Sequence, residues 1–564
     1  MTIAILAFAV FFLFRCCYRL SAFPAAVNEY REAADVQLTQ AILEGDNPYL
    51  MQSLDVRRRT PPVLYQYSFL NSLICAAFAF VLGGKIILAH YVVALLSMIG
   101  SGILVYRLIA GYSDDTALPA LGAMLVLFCH WRFGYLSTTP NSLGIFLTLL
   151  TFTCAVKPGI KNRTTLTAFL CVLLFYTKLY FITIAGAIFI YELLYNRRKA
   201  WHFPLMCLFQ GALSVLVISR FWPLYYTYSL YFLNGTHIWQ PISRFLPIAA
   251  SPALSSLPGV LTPPGVALPA AVSLGDYLRS PVFLYVLQQY GYLLLTFFVP
   301  FAILGLSLIL TVVRKHRAKH PFGKKKAAGT WNTNPDILHL AVIQVVLQGL
   351  CMLVLGRENG QYLSYYLQLW IPYVIVAALI CYAVYLRVPR PALQTVLFAA
   401  IALVSIFLGY KKLPLHMMTE EEHAAWEQAQ HYVDTYETPD KNRQDVYYSP
   451  LLAYMAMEKG KYVYNNGHTG VMQPAMRRIW KEDQKAHTVF PHAGEIIKMH
   501  LSYQDEIVSK IKEHAYTLVT ADEEGLYVDE ALLLENGYKK TDTLPLAAGN
   551  AVYEVTFWTP EDMP

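Results

Sequence analysis

Apolar runs long enough to cross a bilayer recur along this chain from its first residues to about position 409. They can be placed near 2–22, 64–82, 86–109, 117–131, 142–156, 164–181, 182–195, 203–221, 283–312, 337–356, 370–386 and 392–409. Composition agrees: the 564 residues are 56% hydrophobic and 14% charged, whereas a soluble domain carries about a quarter charged residues. The expected fold is therefore mostly α, a polytopic transmembrane helical bundle. The first run lacks a basic leader and a convincing cleavage site, so it reads as a retained helix with Arg15 and Arg19 snorkelling at its far end. The net charge of +7 fits basic cytoplasmic loops and not nucleic-acid binding. The nine cysteines lie within apolar runs, with no CxxC zinc pattern or disulfide framework.

Charge orients the runs. Lys157/Lys161/Arg163, Arg197/Arg198/Lys199, the stretch from Arg314 to Lys326 and Arg387/Arg390 should face the cytoplasm. Their parity is consistent if 164–181 and 182–195 are separate spans. The Arg132–Asn141 loop, the 222–282 segment, the Arg357–Gln368 loop and all residues after 410 then lie outside. The 24–63 loop falls inside if 64–82 spans, as Arg57-Arg58-Arg59 would suit. It falls outside if 64–82 lies in the interface, as Pro61-Pro62 and Tyr65/Tyr67 would suit.

Two regions follow: 1–410, the membrane part, with a first loop over 24–63 and a partly ordered outer lid over 222–282, and 411–564, a soluble-looking α/β domain. In the first loop, Ala34, Leu38, Ala41 and Ile42 share one helical face with charges opposite, which predicts an amphipathic helix on the membrane surface. Glu32 and Asp35 would lie on its polar face, Gly45 at its C-cap, and Asn47-Pro48 in a turn. After 410, Thr419 followed by three glutamates starts a helix running to about Thr435. Val446–Tyr448, Lys461–Tyr464, Tyr516–Thr520 and Ala551–Phe557 read as strands, and Leu451–Glu458 and Ser502–His514 as helices. With no Gly-rich phosphate loop and no nucleophile constellation, this domain should bind or cap rather than catalyse.

The chemistry-bearing residues are few. Glu29 is a carboxylate near a membrane edge and a basic cluster, able to take a proton from a hydroxyl or simply to be solvated. Arg57, Arg58 and Arg59 suit anionic lipid in general or one phosphate in particular. Lys178 lies in an otherwise uncharged apolar stretch, where a charge at helix centre costs about 2.5–3.5 kcal/mol unless it sits at a break between helices and snorkels. Arg220 is similar but nearer water, and Arg132 and Arg244 are weaker candidates. Thr138-Thr139-Pro140-Asn141-Ser142-Leu143-Gly144 is a polar turn at an outer loop, and Gly360 to Tyr366 brings tyrosines to an outer edge.

These landmarks have a familiar order. An acid, a surface helix, Gly45-Asp46-Asn47-Pro48-Tyr49, then Pro61-Pro62 with Tyr65 resemble the first outer loop of GT-C-type membrane glycosyltransferases. That superfamily includes aminoarabinose transferases, protein O-mannosyltransferases and bacterial galacturonosyl (Rgt-type) transferases. The Pro140-Asn141-Ser142-Leu143-Gly144 turn, Lys178, the Tyr-rich Ser364–Pro372 stretch and a soluble domain after the last span resemble its later landmarks. The resemblance implies an inverting transferase using a polyprenyl-phosphate sugar donor and a glycan, lipid or protein hydroxyl acceptor. Glu29 would be the general base. Arg59, Arg58, Lys178 and Arg220 would meet the lipid phosphate, and Asn141, Tyr49 and Tyr366 the substrates. Asn141 stands where many relatives carry a second acid, which speaks against a divalent metal cofactor. A bacterial inner membrane and an extracytoplasmic C-terminal domain are the expected setting. An envelope glycan polymerase or ligase is an alternative, favoured by Arg220, His237 and Arg244 around the long loop. A non-catalytic lipid transporter is another, although no internal repeat is evident.

Overall fold

A computed structural model describes residue 14 and residues 33–50, 68–111, 117–132, 136–157, 159–197, 200–232, most of 337–347, 419–436, most of 446–464, 492–522, 528–548 and 551–561. Expectations for 2–22, for most of the 222–282 loop, for 283–312 and for 370–409 lie outside these residues. So do those for Glu29, Glu32, Arg58, Arg59 and Tyr366.

The first part is helical. Helices run α1 Ala33–Leu43, α2 Leu70–Val81, α3 Ile86–Ala110, α4 Ala117–Arg132, α5 Asn141–Val156, α6 Arg163–Phe175, α7 Thr183–Tyr195 and α8 His202–Phe221. A 3₁₀ turn over Leu179–Ile182 separates α6 from α7, and a π-helical turn over Thr227–Phe232 follows α8. Among the described residues two helices, α3 and α8, are long and apolar enough to cross a membrane. Along α8 only Phe203 is buried, while Leu208, Phe209, Leu216 and Phe221 are exposed. In contrast, α2 has 12 residues and is about 18 Å long, short of the roughly 30 Å of a hydrocarbon core. Helices α6 and α7, of 13 residues each, are similarly short.

The helix termini gather. Leu70 N–H donates to Tyr176 O (3.0 Å), joining the start of α2 to the end of α6. Asn47 Nδ2 donates to Phe221 O (2.7 Å) at the end of α8, and Leu224 N–H donates to Tyr49 O (3.0 Å). The end of α1 is a Schellman turn: Asp46 N–H reaches Ala41 O, Gly45 N–H reaches Ile42 O, and Gly45 takes φ +77° as expected at this cap.

One expectation fails at α1. It is not a surface helix with a solvated face, because every residue from Ala33 to Ala41 is buried, Asp35 included. The cause lies four hundred residues away in the chain. Helix α10 (Pro450–Glu458) packs on α1, and its residues Leu451 to Met457 are buried on all sides. Polar groups of α1 are met inside the fold: Gln37 Nε2 donates to Val463 O (3.3 Å). The Tyr454 hydroxyl donates to the Tyr91 hydroxyl of α3 (3.2 Å) across the same junction.

The C-terminal part is α/β. Helix α9 (Glu420–Thr435) opens on a capping box in which Thr419 and Glu422 satisfy each other's backbone N–H groups. The strands are β1 Val446–Tyr447, β2 Leu518–Asp522, β3 Tyr538–Ala548 and β4 Ala551–Pro560, in the order β1-β2-β4-β3. Only β1 and β2 are parallel. Strand alternation sorts the two faces. Leu518, Val555 and Phe557 join a core with α9, α10, α1 and α3, while Val519 and Trp558 join Tyr503, Ile507 and Ile511 of α11 (Ala493–Lys512). A short α12 (Glu530–Glu535) packs on the same side through Leu533.

The expected strand at Lys461–Tyr464 does not form. Lys461 instead turns back, its ammonium donating to Val433 O and Tyr436 O at the end of α9. The strand expected at Tyr516–Thr520 begins two residues later, and the helix expected over Ser502–His514 begins at Ala493. Strand β3 was not anticipated.

Candidate functional site

The gathered helix ends enclose a buried polar cluster. α6 stops at Phe175 because the chain turns out of the helix at Tyr176 and Thr177, and Lys178 is extended (φ −165°, ψ 128°). The break frees carbonyls that outside donors then take: Ser68 Oγ on Phe175 O (3.3 Å) and Leu70 N–H on Tyr176 O. The lysine therefore sits between helices, not within one, which is the cheaper of the two situations anticipated for a charge in this stretch.

Lys178 is 4% exposed. Its ammonium donates to Asn141 Oδ1 at 2.9 Å and lies 5.0 Å from the centre of the Tyr180 ring. Asn141 is the first residue of α5. An amide oxygen accepts a hydrogen bond but carries no charge of its own. Pro140 occupies the N-cap of α5 and supplies no side-chain acceptor to its first turn. The positive end of a helix dipole and an adjacent ammonium together favour an anion. Gly144, one turn along α5, lies against the Phe181 ring so closely that a Cβ there would overlap it. That close approach brings α5 against the broken segment.

The turn before α5 is braced by neighbours. Thr138 O accepts from Asn71 Nδ2 (3.3 Å) and pairs with His90 Nδ1 (2.9 Å). His90 Nε2 meets Thr39 Oγ1 of α1 at 2.7 Å. Ser137 and Thr139 hydroxyls bond each other (2.7 Å), and Ser142 Oγ lies 3.4 Å from His130 Nδ1. The turn itself was singled out from the sequence, but its partners Thr39, Asn71, His90 and His130 were not. The available signal was polar side chains, His90 and His130 among them, inside otherwise apolar runs.

The other expected site residues fall as follows. Tyr49 is a buried aromatic anchor, its ring 5.4 Å from Tyr225, 5.6 Å from Trp222 and 6.0 Å from Tyr228. It ties the first loop to the segment after α8 and has little open surface for a substrate. Arg220 is exposed in the last turn of α8. The structure thus brings together Lys178 and Asn141 from the expected set, while Glu29, Arg58, Arg59 and Tyr366 are outside the described residues. Among the described residues no group of three or more His, Cys, Asp or Glu side chains is arranged to hold a metal ion.

No protein-family profile matches the sequence, and no curated protein matches it. Solved structures do. The chain is similar to ArnT from Cupriavidus metallidurans bound to undecaprenyl phosphate, with a TM-score of 0.49 at 9% identity over 98% of both chains. It is also similar to the Archaeoglobus fulgidus oligosaccharyltransferase, with a TM-score of 0.44 at 11% identity, covering 88% of this chain and 64% of that one. The same archaeal enzyme, AglB, in complex with an inhibitory peptide and a dolichol-phosphate gives 0.38 at 8% identity, over 88% and 66%.

Proposed function

We propose that this chain is a polytopic membrane glycosyltransferase that moves a sugar from a polyprenyl-phosphate donor to a hydroxyl acceptor. The observation that carries the reading is Lys178: a buried ammonium at a helix break, held by an uncharged partner at the start of α5. Such a group is suited to a phosphate that gains charge as the glycosidic bond breaks. Stabilising charge that develops on a leaving group in a water-poor site is an effective form of catalysis. The exposed apolar face of α8 gives a long isoprenoid tail a surface that matches it.

Glu29 then takes the proton from the acceptor hydroxyl as its oxygen attacks the anomeric carbon. The C–O bond to phosphate breaks as the new glycosidic bond forms, so a single displacement inverts the centre. Arg58 and Arg59 add charge on the phosphate side. The reaction lies on the extracytoplasmic face under the C-terminal α/β domain, in a bacterial inner membrane.

The test is transfer of labelled sugar from undecaprenyl-phosphate-linked donors to membrane acceptors, with Glu29→Gln as control. The reading expects transfer by the wild type and none by Glu29→Gln, which should insert and fold as before. Normal transfer by the variant would remove Glu29 from the mechanism. A wild type that binds no polyprenyl phosphate would remove the donor class.

A further inference from the structure

His90 joins the two halves of the proposed site. Its Nδ1 faces Thr138 O at 2.9 Å, and a carbonyl can only accept, so Nδ1 carries the proton and donates. Its Nε2 meets Thr39 Oγ1 at 2.7 Å. Thr39 also lies 3.1 Å from Asp35 O, and Ser72 Oγ donates to that same carbonyl at 3.4 Å. One buried imidazole thus links α1 to the turn that runs into Asn141.

The sequence gives that link its meaning. Helix α1 begins at Ala33, and the proposed base Glu29 precedes it by four positions in the sequence. The turn at 136–140 leads directly to Asn141 and so to Lys178. Asn71, on α2, holds the same Thr138 carbonyl from another side. We infer that His90 is a positioning residue, fixing α1 against the turn that leads to the phosphate clamp. This inference rests on the proposed function for its consequence, though the bridge itself does not.

A residue with this role leaves phosphate binding alone and alters turnover, because its hydrogen bonds go to Thr39 and Thr138 and not to the Lys178–Asn141 pair. Small misplacements of reacting groups cost up to about 100-fold in rate. The half-isosteres separate the two bonds. His90→Asn keeps a donor for Thr138 O and loses Thr39. His90→Gln keeps a group for Thr39 and loses Thr138. Thr39→Val removes the hydroxyl at nearly constant shape.

The experiment measures single-turnover sugar transfer and undecaprenyl phosphate affinity for wild type, His90→Ala, His90→Asn, His90→Gln and Thr39→Val in full-length protein. Expected are turnover losses of roughly 10- to 100-fold, with affinity within about threefold. The His90→Asn/Thr39→Val double variant should be no slower than the worse single, since both remove one bond. Full turnover by Thr39→Val and His90→Ala, or affinity falling in step with turnover, would overturn the inference. Hydrogen exchange over 33–43 and 136–142 reads the bridge with no sugar transferred. It should rise in both segments together in His90→Ala. Unchanged exchange there would sink the bridge even if the wild type moved no sugar, whereas coupled exchange without transfer would sink the proposed function alone.

Discussion

Replacing Asn141 by Asp is the most discriminating change at the candidate site, because it alters charge and almost nothing else. The new carboxylate would sit 2.9 Å from the Lys178 ammonium. At an effective dielectric constant near 20 their attraction is about 6 kcal/mol, set against a desolvation cost of several kcal/mol for the buried carboxylate. Fold stability should therefore change little. Donor binding should change greatly. A phosphate oxygen bonded to the same ammonium would lie roughly 5 Å from the carboxylate, a repulsion of about 3 kcal/mol on the same scale, or about 100-fold in affinity. Asn141→Ala leaves the lysine charge intact and forfeits one hydrogen bond to it, about 1.5–3 kcal/mol before any replacement by water or ligand. Its affinity loss should be the smaller of the two. Isothermal titration of undecaprenyl phosphate into detergent-solubilised protein, beside thermal unfolding of each variant, measures both quantities. Equal affinity for Asn141→Asp and wild type would refute the assignment of Lys178 to phosphate. So would an Asn141→Asp enzyme made faster by added divalent cation, since that would make the position a metal ligand.

Gly144→Ala should lower the unfolding midpoint by the equivalent of about 1–3 kcal/mol, the usual cost of overpacking, because the added methyl overlaps the Phe181 ring; Phe181→Leu in the same chain should restore it. Thr419→Ala should cost about 1 kcal/mol by opening the capping box of α9, read as increased exchange in the first turn of α9. The C-terminal part should also weaken in alkali. Burial pushes Tyr538 up to about 12, and burial together with the bond to Asp542 does the same for Tyr432. Both pKa values are raised above the unfolded value near 10, so their contribution is complete below about pH 10 and is lost as pH rises toward 12. Wild type should lose thermal stability across that window, and a Tyr432→Phe/Tyr538→Phe variant should lose less.

How much of this could be read in advance follows from how local each cause is. Helices α3 to α8 were legible because their apolar runs are continuous and their ends are marked, as at Lys157 and Arg197. The Gly45 cap was legible because only glycine takes a positive φ there without strain. The Lys178 break was half legible: a charge within an apolar run signalled it, but its partner Asn141 is 37 residues away. The face of α1 was misjudged because periodicity reports apolar positions and says nothing of a partner arriving from α10 to cover the polar ones. Strand β3 was hidden by Lys539, Lys540 and Asp542 at its start and by Pro545 within it. It is an edge strand, where proline is tolerated. A register shift between Lys540 and Asp542 accompanies contacts of the Asp542 carboxylate with Gln428 and Tyr432 of α9. The His90 bridge left only a histidine inside an apolar run, since three segments far apart in the chain supply its atoms.

Everything proposed for this protein turns on whether the buried cation at the helix break holds a lipid phosphate. The direct measurement is undecaprenyl phosphate affinity of wild type against Lys178→Met. The account predicts a loss of at least about 30-fold, from the roughly 2–5 kcal/mol that truncating one partner of a buried charge pair costs, with little change in unfolding temperature. An affinity that Lys178→Met leaves intact would contradict it.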